Sequence, residues 1–112
     1  MRTHDRLMTV RRGMLAALLG LLAPVASVAL AAGGNAAAAL SKVGGCVACH
    51  GADGIGKAPQ YPNLQGQKAA YLEKQLKAFR SGERKDSNMN AMAKPLSDED
   101  IANLATYFET VN

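Results

Sequence analysis

The chain has no tryptophan, only three tyrosines and two phenylalanines, and just two cysteines in 112 residues. Two cysteines cannot build the dense disulfide framework on which many small exported domains rely. So few aromatic side chains leave a small core with little bulk to fill it. Histidine is scarce as well, with His4 and His50 the only two. No segment alternates apolar and polar residues like a half-buried strand, and no internal repeat is present. The length admits one small domain and excludes barrels and doubly wound sheets. What the chain does have is a 48% hydrophobic share and a formal net charge of +4. The first excludes a wholly disordered chain; the second invites a nucleic-acid or anionic-membrane reading.

Both quantities are unevenly placed. Residues 1–12 carry Arg2, Arg6, Arg11 and Arg12 against the single acid Asp5, and residues 13–32 are uncharged and rich in Leu, Ala and Val. Ala29-Leu30-Ala31 then puts small residues where a signal peptidase reads. Residues 1–31 are therefore expected to be a secretory signal cleaved after Ala31, with residues 32–112 as the mature domain. A retained anchor is the alternative, since about 20 apolar residues can span a bilayer, although Pro24 interrupts the run. Arg11-Arg12 lacks the flanking residues of a twin-arginine signal. Without this segment nine basic residues face eight acidic ones. A nearly neutral, soluble domain gives no argument for nucleic acid.

The mature part reads as all-α. Asn35 is placed to cap a helix running through the alanines of residues 36–39 towards Cys46, weakened near its end by Gly44-Gly45. Residues 51–66 hold four glycines with Pro59 and Pro62, a loop too long to be idle in so small a domain. In residues 67–81, Leu72, Leu76 and Phe79 make an apolar stripe, Glu73 and Lys77 form a favourable i,i+4 pair, and Gly82 ends the helix. Residues 83–90 are polar without a regular pattern. Ser97 followed by Asp98, Glu99 and Asp100 opens the last helix, whose stripe is Ile101, Leu104, Ala105 and Phe108.

Cys46-Val47-Ala48-Cys49-His50 is the most informative stretch. On a helical turn positions i, i+3 and i+4 share one side, so two thiols and an imidazole face one object. Haem meets that demand: the thiols add to its two vinyl groups and the imidazole takes an axial position on iron. A redox dithiol wants a βαβ setting that is missing here, and a zinc site wants a second Cys/His pair. A disulfide between Cys46 and Cys49 would close too short a loop to stabilise much. One covalent haem c would also supply the apolar bulk that the aromatics do not. With His4 gone, methionine or lysine is left for the sixth ligand, and the mature methionines are Met89 and Met92. Spacing alone leaves open which of the two is ligand and which is packing.

Taken together, Cys46 to Gly51, Pro62-Asn63-Leu64-Gln65-Gly66, Tyr71-Leu72 with Gln75-Leu76, and Met89 onward through Leu96 to Phe108 resemble the class I c-type cytochromes, in particular the small soluble bacterial kind. The resemblance covers residues 32–112 and implies the cytochrome c fold, three main helices around one covalently attached haem. It implies Met89 as axial ligand, because in such proteins the methionine lies seven residues before the Leu of the last helix start. It implies that the carbonyl of Pro62 orients His50. It also implies that the first and last helices cross, often through a glycine–aromatic contact, for which this chain offers Ala38 and Ala39 against Tyr107 or Phe108. The expected function is a periplasmic monohaem electron carrier, not an enzyme. It would be a monomer that docks transiently on membrane or periplasmic redox proteins as donor and acceptor. Lysines and arginines such as Lys57, Lys68, Lys77, Arg80 and Arg84 are mostly expected to be solvated surface, with some steering at the haem edge. A tightly bound haem subunit of a larger dehydrogenase or oxidase is the alternative, and a sensor with an open sixth site is a third reading.

Overall fold

Side-chain capping starts the chain path that the structure describes. This is a computed structural model describing residues 33–112 and the isolated position Gly20. The secretory signal read over residues 1–31, its cleavage point and His4 lie outside the described residues. Asn35 Oδ1 accepts from the backbone N–H groups of Ala37 at 2.9 Å and Ala38 at 3.3 Å. The expected single helix does not follow. A short 3-10 turn, Ala38–Ser41, is followed by α1, Gly44–His50. Ser41 Oγ donates to the Ala38 carbonyl at 3.2 Å and competes with the helical ladder. Gly44 and Gly45 add backbone entropy to the cost of running straight through. The glycines thus open α1, where the sequence reading placed them near a helix end.

Helix α2, Ala69–Ser81, begins two residues later than its periodicity suggests. Its start is set from outside: the Glu109 carboxylate accepts from the Ala69 N–H at 3.0 Å, and the Gly66 N–H donates to the Phe108 carbonyl at 2.9 Å. It stops at Gly82, whose left-handed φ of 81° favours glycine. A seven-residue helix α3, Ser87–Ala93, occupies ground that looked irregular, and both Met89 and Met92 lie on it. It spans two turns at most, too short for an apolar period to be visible. Asp86 caps it, accepting from the Met89 N–H at 2.9 Å. Helix α4, Asp98–Thr110, opens on a capping box in which Ser97 and Asp100 each satisfy the other's backbone N–H at 3.0 Å. Among the described residues there is no strand. The fold is all-helical, with α3 added to the three expected main helices.

The core lies where the 3-10 turn and α2 pack against α4. Ala39, Val43, Leu72, Leu104, Ala105 and Phe108 form one buried cluster. Ala39 is thus in the same cluster as Phe108, whereas Ala38 is exposed. A glycine does make the closest approach to α4, but it is Gly34, on which a Cβ would overlap the backbone carbonyl of Ala102. Asn103, buried on α4, accepts from the Asn35 N–H at 2.7 Å and locks that approach.

Arg80 joins the end of α2 to the start of α4, donating to the Leu96 carbonyl at 3.0 Å and to Asp98 at 2.6 Å. That hydrogen bond and the nearby Arg80 charge hold the Asp98 carboxyl below its ordinary value. A carboxyl depressed in the folded state favours folding fully above its unfolded pKa and loses that contribution as pH falls through the folded value. Asp98 is solvent-exposed, so the effect is screened and small. Asp98→Asn is expected to lower the urea midpoint of unfolding at neutral pH. The difference from the parent chain should vanish at a pH below the carboxylate range, which parallel urea titrations at the two pH values would check.

Candidate functional site

The last two turns of the chain before the long loop carry Cys46, Cys49 and His50, all on α1. The two cysteines form no disulfide with each other, and both are of intermediate exposure. Cys46 packs against the buried core cluster, and burial pushes its thiol pKa up, with a backbone hydrogen bond opposing in part. His50 closes the helix and is 7% exposed, the edge of its ring set against Tyr61 at a centroid separation of 6.5 Å. Among the described residues no three His, Cys, Asp or Glu side chains gather as ligands of a bare metal ion.

The loop beyond α1 is held in place by hydrogen bonds and brings Pro62 back to His50. Gly51 leaves the helix at φ 82°, ψ 148°, and a Cβ there would overlap the Ile55 carbonyl. The Gly54 carbonyl accepts from Leu64 at 2.7 Å and Gln65 at 3.0 Å, the Lys57 N–H donates to the Cys49 carbonyl at 2.9 Å, and Asn63 Oδ1 accepts from Gly56 at 2.8 Å. Tyr107 on α4 donates its hydroxyl to the Ala52 carbonyl at 2.6 Å and fixes the loop to the core. The result is a 2.8 Å hydrogen bond between His50 Nδ1 and the Pro62 carbonyl. A carbonyl can only accept, so Nδ1 carries the proton and Nε2 keeps its lone pair for a Lewis acid.

The surroundings suit a flat apolar group. Leu64, Leu76, Leu96, Val47 and Cys46 are only partly buried and pack against the core cluster. Two thiols at one helical spacing and an imidazole with a free nitrogen fit haem in donor chemistry, and these partly exposed apolar side chains are of the kind it would cover. Met89, on α3, is half-buried. Met92 is 43% exposed, and its terminal methyl lies where a side chain on Gly45 would stand.

Two polar anchors, Asn103 and Asn90, carry no sequence signal, and Tyr107, expected only as a packing contact, anchors the loop through its hydroxyl. Nothing in a periodic pattern marks them, because each acts on backbone groups distant in sequence. Several basic residues are also engaged. Arg84 stacks over the Phe79 ring at 4.5 Å and donates to Gln75 at 2.8 Å, and Lys77 pairs with Glu73 at 3.8 Å as its spacing predicts.

Fold and site together define a small helical domain built to attach a porphyrin through two cysteines. The chain belongs to the cytochrome c family, whose pattern it matches over residues 34–112. It therefore carries covalently bound haem c with its iron and serves electron transport. It is 58% identical over 80 residues to cytochrome c-554(548) of Halomonas halodenitrificans, covering 69% of this chain and 96% of that protein. It is 47% identical over 73 residues to the thiosulfate dehydrogenase electron acceptor of Thiomonas intermedia, covering 64% of this chain and 34% of that one. The crystal structure of reduced cytochrome c4 from Pseudomonas stutzeri superposes with a TM-score of 0.66 at 41% identity, over 70% of this chain and 46% of that one. The chain thus spans nearly all of the first relative but less than half of the other two.

Proposed function

We propose that the chain is a monohaem carrier of single electrons outside the cytoplasm, with His50 and Met89 as the two axial ligands of iron. Haem c supplies a one-electron Fe(III)/Fe(II) couple. Cys46 and Cys49 would hold it by thioether bonds, and His50 Nε2 would ligate its iron. The Pro62 carbonyl fixes the His50 ring and raises its basicity. The Met89 thioether, a soft ligand, favours reduced iron and raises the potential. With both positions filled by side chains, small molecules are excluded and no bond chemistry takes place on the iron. The observation that carries this reading is the 2.8 Å contact between His50 Nδ1 and the Pro62 carbonyl, which leaves the other ring nitrogen free to act as a ligand.

Export is supported by the leader-like residues 1–31, and among the described residues no helix is long and apolar enough to cross a membrane. Redox proteins are the fitting partners, as the name of the Thiomonas relative indicates for that protein. The second reading is a haem subunit held by a single dehydrogenase. Size-exclusion chromatography of periplasm separates the two, since a shuttle elutes near its own mass and a subunit with its complex.

The ligand assignment is tested by absorption spectra of Met89→Ala and Met92→Ala. Met89→Ala is expected to lose the Met–Fe(III) charge-transfer band, to bind carbon monoxide readily when reduced, and to have a lowered reduction potential. Axial ligands span about 0.8 V, so the fall is a readily measured part of that range. Met92→Ala is expected to keep the band. Loss of the band in the Met92 variant alone overturns the assignment.

A further inference from the structure

The residue after Met89 forms the most connected side-chain anchor in the described part of the chain. Asn90 Nδ2 donates to the Phe79 carbonyl and to the Arg84 carbonyl, each at 2.8 Å. Its Oδ1 accepts from the Asp86 N–H at 2.9 Å, while the Asp86 carboxylate accepts from the Met89 N–H at 2.9 Å. Both amide hydrogens of Asn90 are used, and they reach two different segments: the last turn of α2 and the connection to α3. That connection is itself rigid, since the Arg84 N–H donates to the Ala78 carbonyl at 3.0 Å and the Arg84 guanidinium covers Phe79.

We infer that Asn90 is the positioning residue for the axial methionine. It ties the two turns of α3 to α2 and so sets where the Met89 sulfur stands. The inference rests on the reading of Met89 as ligand. A helix of seven residues has little stability of its own, so its placement must come from contacts such as these. Through the reciprocal Asp86–Met89 and Asn90–Asp86 bonds, the backbone of the methionine is bracketed on both sides. A thioether is a weak, neutral donor, and an iron–sulfur bond it makes survives only when the sulfur is delivered to the iron without a large ordering cost.

The test uses the haem-loaded protein. Asn90→Asp keeps the shape and the acceptor but removes both donors and sets a carboxylate against two carbonyls. Asn90→Ala removes all three bonds without adding a charge. Asn103→Ala is the comparison, because Asn103 anchors the Asn35 segment on α4 through one bond of 2.7 Å and has no part in α3. For each, the Met–Fe(III) charge-transfer band and the affinity of the ferric protein for added imidazole are measured beside thermal stability. Both Asn90 variants are expected to weaken the band and to bind imidazole on the order of ten-fold more tightly, while Asn103→Ala leaves both unchanged even where its stability falls. Should Asn90→Asp misfold, Asn90→Ala alone decides. An unchanged band and imidazole affinity in the Asn90 variants, or an equal change in Asn103→Ala, overturns the inference and leaves Asn90 a structural anchor only. Met89→Ala separates the two layers. If it keeps the band, the ligand reading and this inference fall together; if it loses the band while the Asn90 variants keep it, only this inference falls.

Discussion

Replacing Cys46 and Cys49 together by alanine is expected to give a chain that retains no haem through denaturation and shows no cooperative thermal transition. The reason lies in how little the polypeptide buries by itself. The largest fully buried side chains are Ile101 and Leu104, and three other core members, Ala39, Ala93 and Ala105, are alanines. Burying an aliphatic side chain of leucine size contributes roughly 1.5–3 kcal/mol, whereas ordering each residue costs roughly 1–2 kcal/mol. A domain of this size with so small a core is marginal, and a covalently held porphyrin adds a large apolar surface for the helices to pack against. The half-exposed Leu64, Leu76 and Leu96 are the surfaces that such a group would cover. The measurements are haem staining after denaturing electrophoresis and far-ultraviolet dichroism on heating. A double variant that melts cooperatively near the parent temperature would show that the helices hold one another without the porphyrin.

Features that depend on neighbours in sequence were legible: the Ser97–Asp100 capping box, the Gly82 stop, the Glu73–Lys77 pair and the Cys46, Cys49, His50 constellation all lie within one or two turns. Features that depend on distant backbone were not. The first helix breaks at Lys42-Val43, between the Ser41 hydroxyl bond and the Gly44-Gly45 pair, and the sequence pattern weights neither enough to place the break. Helix α3 stayed hidden because its caps are an aspartate and an asparagine in a polar run. The Pro62 contact came through resemblance alone, since twelve residues of glycine-rich loop give no register for a carbonyl. Ala39 shares the core cluster with Phe108, in keeping with the expected contact, whereas the close approach of Gly34 has no sequence signal because its partner is the Ala102 backbone.

That loop carries the second large effect. Gly51→Ala is expected to destabilise the haem-loaded protein by about 2–6 kcal/mol, from two sources of about 1–3 kcal/mol each. The first is conformational: φ 82° with ψ 148° is a region that side chains scarcely enter. The second is steric, because the new methyl would meet the Ile55 carbonyl, a backbone group unable to swing aside as a long side chain could. Gly66→Ala isolates the first source. It also has a positive φ, 71°, but nothing lies within 4 Å of its added Cβ. Its cost should be about 1–2 kcal/mol, the left-handed penalty alone. Urea titrations of both variants give the comparison, and equal losses would show that the Ile55 carbonyl yields freely. The larger loss has a consequence at the site. Gly51 follows His50 directly and starts the loop that returns Pro62, so the overlap should lengthen the His50–Pro62 hydrogen bond. Weaker support at Nδ1 makes Nε2 a poorer donor to iron. Gly51→Ala should therefore shift the reduction potential as well as the urea midpoint, while Gly66→Ala moves the midpoint alone.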